Sequence, residues 1–141
     1  MSDRIDSQLK QRLLPVIESQ KFMHHLGVEI TALQEGLCEM TLDYKEDLSQ
    51  QNGFFHGGVI GTLADNAAGA AGATVMTSGE NCLTAEYKLN FLSPAKGDKL
   101  VAIAKILKSG RSLKVAETNI YSVQGETRKH CAVALVTLIA V

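Results

Sequence analysis

The chain of 141 residues has no tryptophan, two prolines and three cysteines. With so little proline and no low-complexity tract, it does not read as a disordered protein or a linker-joined array. No self-similarity at solenoid spacing is present, which excludes a repeat protein. Cys38, Cys82 and Cys131 are odd in number, far apart and set among apolar residues. They do not make a disulfide or zinc framework and read as reduced, buried thiols, with no motif to support a catalytic cysteine. Met1-Ser2-Asp3-Arg4 leads into a polar amphipathic segment and not into the apolar run of a signal peptide, which predicts a cytoplasmic protein. Positive charge is missing from Glu46 to Tyr87, and Asp65 is the only charge between Asp47 and Glu80.

What is present fits one domain spanning residues 1–141. With 45% hydrophobic and 21% charged residues, a chain of this length buries roughly 68–70% of its unfolded surface. The net charge of −1 hides an asymmetry: residues 1–87 hold 5 basic and 12 acidic side chains, and residues 88–141 hold 9 and 3. A basic C-terminal half in a near-neutral protein suggests a local anion site, for instance for a phosphorylated small molecule, more than a nucleic-acid surface; solvated strand faces are the alternative.

Ile5, Leu9 and Leu13, spaced by four, predict a short amphipathic helix that Pro15 ends or kinks. From Gly27 to Tyr44, two apolar segments flank Gln34-Glu35-Gly36. Leu37, Glu39, Thr41 and Asp43 fall on one parity, and Cys38, Met40, Leu42 and Tyr44 on the other, which predicts a hairpin with one buried face. Three further strands are predicted over Cys82–Leu92, Lys99–Lys108 and Ser112–Val123. They are separated by turn chemistry at Ser93–Asp98, Ser109-Gly110-Arg111 and Gln124-Gly125-Glu126. A last apolar run, His130–Val141, reads as a buried central strand.

Between them lies Gly57–Thr77, made almost wholly of small and apolar residues. As a membrane span it would carry Asp65 near its middle, at a cost of roughly 2.5–3.5 kcal/mol, with too little hydrophobicity from Ala and Gly to offset it. As a soluble helix, apolar all round, it must be wrapped, and the antiparallel sheet is the only candidate wrapper. The predicted architecture is α+β, one long helix embraced by a curved sheet of five or six strands, with a short N-terminal helix. Inside that helix Asp65 has no local cation. An unpaired buried acid is expensive and is often kept for proton or nucleophile chemistry, a neutral acid hydrogen-bonded inside a core being the other reading.

The stretch Gln50-Gln51-Asn52-Gly53-Phe54-Phe55-His56-Gly57-Gly58 through Asp65 resembles the signature of hotdog-fold thioesterases of the PaaI-like group. Gly stands three residues before His-Gly-Gly, and the acid stands nine residues after that His. The Leu92-Ser93-Pro94-Ala95 turn and the Gly110-Arg111 hairpin also match, so the resemblance covers most of the chain. It implies a hotdog fold and an acyl-coenzyme A thioesterase in which coenzyme A is part of the substrate and no metal or redox cofactor is needed. It also implies a homodimer or homotetramer with active sites between subunits, and no nucleic-acid or membrane partner.

Residue by residue, the resemblance makes Asp65 the general base for water or the nucleophile. Gly57, at a helix N-terminus, offers its backbone N–H to the developing oxyanion, with Gly58 beside the substrate. Gln50, where the family commonly places Asn, has an amide for the thioester carbonyl or the water, and Gln51 could take its place. His56 braces or orients, and Thr84 reaches across a dimer interface to orient the water. Gly110 and Arg111, flanked by Lys108, Ser109 and Ser112, meet the nucleotide phosphates, for which Arg has suitable bidentate geometry. Phe54, Phe55, Leu63 and Met76 are candidate pocket walls, and the small helix residues leave room for an aryl or medium-chain acyl group. Two other classes stay in view: a hotdog-fold hydratase or dehydratase, whose loop prolines are absent here, and a non-catalytic acyl-coenzyme A binding module.

Overall fold

The computed structural model describes residues 4–141. Asp6 starts the first helix, α1 (Ser7–Glu18), by accepting the N–H groups of Gln8 and Leu9 at 2.9 Å each. Leu9 and Leu13 lie against the core as their spacing predicts, whereas Ile5 precedes the helix, where it bridges to Leu33 and packs on the same core. Pro15 does not end the helix, which runs one more turn to Glu18. A second short helix, α2 (Lys21–Leu26), closes on Gly27 at φ +84°, a left-handed cap suited to glycine. The N-terminal region thus holds two short helices where the sequence predicts one.

The hairpin is β1 (Glu29–Gln34) and β2 (Leu37–Asp43), joined through Glu35 and Gly36. Cys38, Met40 and Leu42 are buried as their parity requires. Glu39, of the opposite parity, is also buried. Arg4 pairs with it at 2.8 Å and the Thr31 hydroxyl donates to it at 2.7 Å, so its charge is satisfied there.

The long helix α3 (Gly57–Thr74) is followed by β3 (Cys82–Phe91), β4 (Lys99–Ser109), β5 (Leu113–Gln124) and β6 (Thr127–Ala140). All pairings are antiparallel, and the strand order is β1-β2-β4-β5-β6-β3. The sheet therefore has six strands. β6 is an interior strand, as expected, but begins three residues earlier than His130. Thr127, Arg128 and Lys129 carry no apolar pattern and are held by pairing with Gln124, Val123 and Ser122.

Small residues on α3 explain how closely it sits on the sheet. Ala64, Ala67, Ala68 and Ala71 have essentially no exposed surface. A Cβ at Gly72 would stand 2.5 Å from a Leu138 methyl. The wrapping is incomplete, however. Gly58, Thr62, Asp65, Asn66, Gly69 and Ala73 stay half-buried or exposed, and at about 100° per residue they form one stripe. A single sheet covers the rest of the helix and leaves this stripe bare, and Thr62, Asp65 and Asn66 all fall on it.

Arg12 ties α1 to the far end of α3. Its guanidinium donates to the carbonyls of Met76, Thr74 and Ala73 at 3.1, 3.3 and 3.4 Å, where the helix leaves its last acceptors free. Arg12→Ala is expected to lower stability by about 1.5–3 kcal/mol, since charge-assisted bonds to partly buried carbonyls are lost. Urea unfolding measures this as a lower midpoint at unchanged slope; a change below about 0.5 kcal/mol would mean that the contact is only a surface one.

Candidate active site

His56 precedes α3 as its N-cap. Its Nδ1 accepts the Gly58 N–H at 2.9 Å, so the ring holds the turn in shape, with that nitrogen unprotonated. Gly57 is the first helical residue, and among the described residues no acceptor takes its N–H. A Cβ on Gly57 would meet the Phe91 ring at 3.0 Å. The amide opens on a cleft of about 470 Å³ lined by Gln50, Phe54, Phe55, Gly57, Phe91 and neighbours. Gln50 lines it and Gln51 does not. The Gln50 side-chain oxygen accepts the Asn52 N–H, which fixes the side chain and leaves its amide nitrogen as the free end.

Asp65 lies elsewhere. It is half-buried on the bare stripe and opens on a second cleft, of about 690 Å³, shared with Leu13, Ile17, Asn66, Cys82 and Thr84. The Thr84 hydroxyl donates to Asp65 Oδ1 at 2.7 Å. Strand register shifts between Thr84 and Glu86, a bulge of the kind that redirects a side chain beside a functional group. Thr84 thus touches the acid of its own chain, where the resemblance implies a reach to the other subunit. Oδ2 has no partner among the described residues, and no cation pairs with the carboxylate.

One chain does not bring these two groups together. Eight residues of helix separate Gly57 from Asp65, a rise of about 12 Å with a turn of about 80°, and the two line different clefts.

The basic hairpin is more distant still. Ile106 bonds Gly36, and Gly36 bonds Thr74 at the C-terminal end of α3, which puts Lys108, Gly110, Arg111 and Ser112 at the end of the sheet away from Gly57. Lys108, Arg111 and Ser112 are exposed. Gly110 is instead engaged by the buried Lys114, whose ammonium donates to its carbonyl at 2.5 Å. Lys96 and Lys129, which no sequence motif marks, line a cleft of about 310 Å³ that shares Phe54 and Pro94 with the Gly57 cleft. The excess of basic residues after position 88 was the available signal, but it could not say which of them would converge.

Leu63 and Met76 are buried in the core and line neither cleft. Cys82 is half-buried and not wholly interior. Burial, reinforced by the Asp65 carboxylate and opposed by Lys114, pushes its thiol up to about 11. It is therefore a neutral thiol near pH 7 and no match for a nucleophile.

A six-stranded antiparallel sheet folded on one small-residue helix is the hotdog arrangement that the sequence resemblance implies. Comparison with known proteins agrees. The sequence model of the thioesterase superfamily matches residues 52–129, and the chain belongs to that superfamily; it is a thioester hydrolase. A thioesterase family protein from Silicibacter pomeroyi is 34% identical and superposes with a TM-score of 0.92 over 94% of this chain and 98% of its own. The PaaI protein of the phenylacetic acid degradation operon of E. coli shares the fold, with a TM-score of 0.84, coverage of 94% and 93%, and 22% identity. The 1,4-dihydroxy-2-naphthoyl-CoA hydrolase of Listeria monocytogenes is 28% identical over 113 residues, 80% of this chain and 89% of that one. No helix among the described residues is long and apolar enough to cross a membrane.

Proposed function

We propose that the protein hydrolyses acyl-coenzyme A thioesters at sites built from two copies of the chain, the Gly57 end of α3 from one and Asp65 from the other. The observation that carries this reading is the separation of the two groups: a free amide and a free carboxylate oxygen on one helix, too far apart to serve one carbonyl. The edge strand β3 supports it. It pairs only with β6 and exposes Leu83, Tyr87 and Phe91, so a second copy docked there covers apolar surface and an open strand edge. A homodimer is the smallest assembly this requires, and a tetramer is compatible with it.

In the proposed reaction Asp65 Oδ2 takes a proton from water, and the hydroxide adds to the thioester carbonyl carbon. The carbonyl oxygen becomes an oxyanion held by the Gly57 N–H of the other copy. Collapse breaks the C–S bond and releases the free acid and the coenzyme A thiolate, which is then protonated. Direct attack by Asp65, through an anhydride, is the alternative use of the same oxygen. The Gln50 amide, which lines the Gly57 cleft, donates to the carbonyl or the water in this route, and His56 keeps the turn in shape. Carboxylate and amide supply the base and the oxyanion donor, so the route as proposed uses no metal or redox group. Lys96 and Lys129 are the basic groups beside the Gly57 cleft and suit the phosphates of coenzyme A, together with the Lys108, Gly110, Arg111 and Ser112 hairpin of the second copy. Three free cysteines suit a reducing compartment, the cytoplasm.

Free-thiol release from short, medium, long and aryl acyl-coenzyme A thioesters tests the reading. Turnover of at least one supports it, and binding of all with turnover of none makes the protein an acyl-coenzyme A binding module. Thr84→Val should lower kcat roughly tenfold with little change in KM, the low end of what a hydrogen bond to a charged group contributes at an exposed site. Equal loss in kcat and in thermal stability would instead mark Thr84 as a strand residue only.

A further inference from the structure

A third cleft, of about 710 Å³, lies between α1, α2, the start of β1 and the bare stripe of α3. It shares Ile17 and Asn66 with the Asp65 cleft, so this trough beneath the N-terminal helices adjoins the cleft that holds the carboxylate. Its floor is apolar: Ile5, Leu14, Ile17, Met23, Val28 and Ile30 are all half-buried or buried. The ionisable members of its lining, Lys10, Glu18, His24 and Glu29, are all exposed and form the rim. Asn66 is the only uncharged polar side chain in the lining, and its amide is directed at Met40 Sδ, 3.4 Å away.

We infer that this trough is the acyl pocket and that it takes an unbranched alkyl acyl group of medium length, its thioester carbonyl standing at Asp65. The inference rests on the thioester hydrolase reading and specifies its substrate class. The volume lies within the roughly 300–1,000 Å³ of small-molecule sites. A hydroxylated aromatic acyl group would carry hydroxyls to a floor whose one uncharged polar side chain is Asn66, and a hydroxyl set anywhere among the six apolar residues would be buried unpaired, which is penalised. A plain alkyl chain asks nothing polar of the floor and gains from each methylene it buries. The N-terminal helices then set specificity, although neither supplies a group to the reaction.

The test is kcat/KM for straight-chain thioesters from acetyl to dodecanoyl-coenzyme A, with benzoyl and dihydroxybenzoyl-coenzyme A alongside, for the full chain and for variants at half-buried Leu14. Wild type should gain about fourfold per added methylene until the trough is filled. Leu14→Trp should move the optimum to shorter chains, and Leu14→Ala to longer ones. The smaller substitution keeps the test open should the larger one disturb folding. A preference for the aryl thioesters, or a chain-length profile that neither variant moves, overturns this inference and leaves the hydrolase reading standing. No thiol release from any thioester overturns both.

Discussion

Asp65→Asn is expected to reduce thiol release at least a hundredfold on the best substrate while leaving the fold and acyl-coenzyme A binding intact. The swap keeps size and shape and removes the charge, and an amide cannot take a proton from water. A positioned acid–base group contributes typically about 10²–10⁴-fold. The environment makes the expectation specific. Asp65 is half-buried, its Oδ1 is occupied by Thr84, and among the described residues no cation neutralises it, so Oδ2 faces the cleft as a free carboxylate oxygen. Circular dichroism and a coenzyme A binding isotherm must accompany the rate. A variant that turns over within tenfold of wild type would remove Asp65 from the reaction and with it the proposed chemistry.

Two inactive chains should also rescue each other. In Gly57→Val the new side chain fills the space in front of the amide, where even a Cβ meets the Phe91 ring at 3.0 Å, and the loss of an oxyanion donor typically costs 10²–10³-fold. If a site takes its amide from one copy and its carboxylate from the other, a hybrid of Gly57→Val and Asp65→Asn carries one site with both defects and one with neither. Random reassortment makes half the dimers hybrids, so an equal mixture, unfolded and refolded together, should recover about a quarter of wild-type activity. Each variant refolded alone should recover none. A mixture that refolds to dimers and stays inactive would show that amide and carboxylate act within one chain, against the roughly 12 Å of helix between them.

The family and the fold are legible in the sequence. The spacing from His56 to Asp65, the small-residue helix and the downstream turns carry the family and the fold, because a helix that must sit closely on strands can hold little but Ala and Gly, and a cap needs a particular residue one position ahead of the first turn. The N-terminal region is harder. Pro15 looks like a stop because it lacks an N–H, yet α1 continues past it, held by contacts of Leu13 and Ile17 with the core. Glu39 has the parity of a solvent face yet is buried, held by the exposed Arg4 and the half-buried Thr31, partners 35 and 8 residues away. The phosphate candidates illustrate the same limit. Gly110 and Arg111 stand out by a local pattern, whereas Lys96 and Lys129 become neighbours of the Gly57 cleft only through the pairing of β5 with β6 and the return of the loop after β3.

Spacing along the chain was enough for the local devices: where the turns fall, that one acid sits alone in an apolar helix, and the motif that carries the thioesterase family. These depend on interactions within a few residues, which spacing records directly. Long-range packing set the rest: Asp65 lies on the stripe the sheet leaves bare, Thr84 of the same chain holds one of its oxygens, Gly57 lines a different cleft, and α1 and α2 roof a trough that adjoins the Asp65 cleft. Those are matters of which faces meet across long stretches of chain, and the sum of packing, not any local pattern, fixes them.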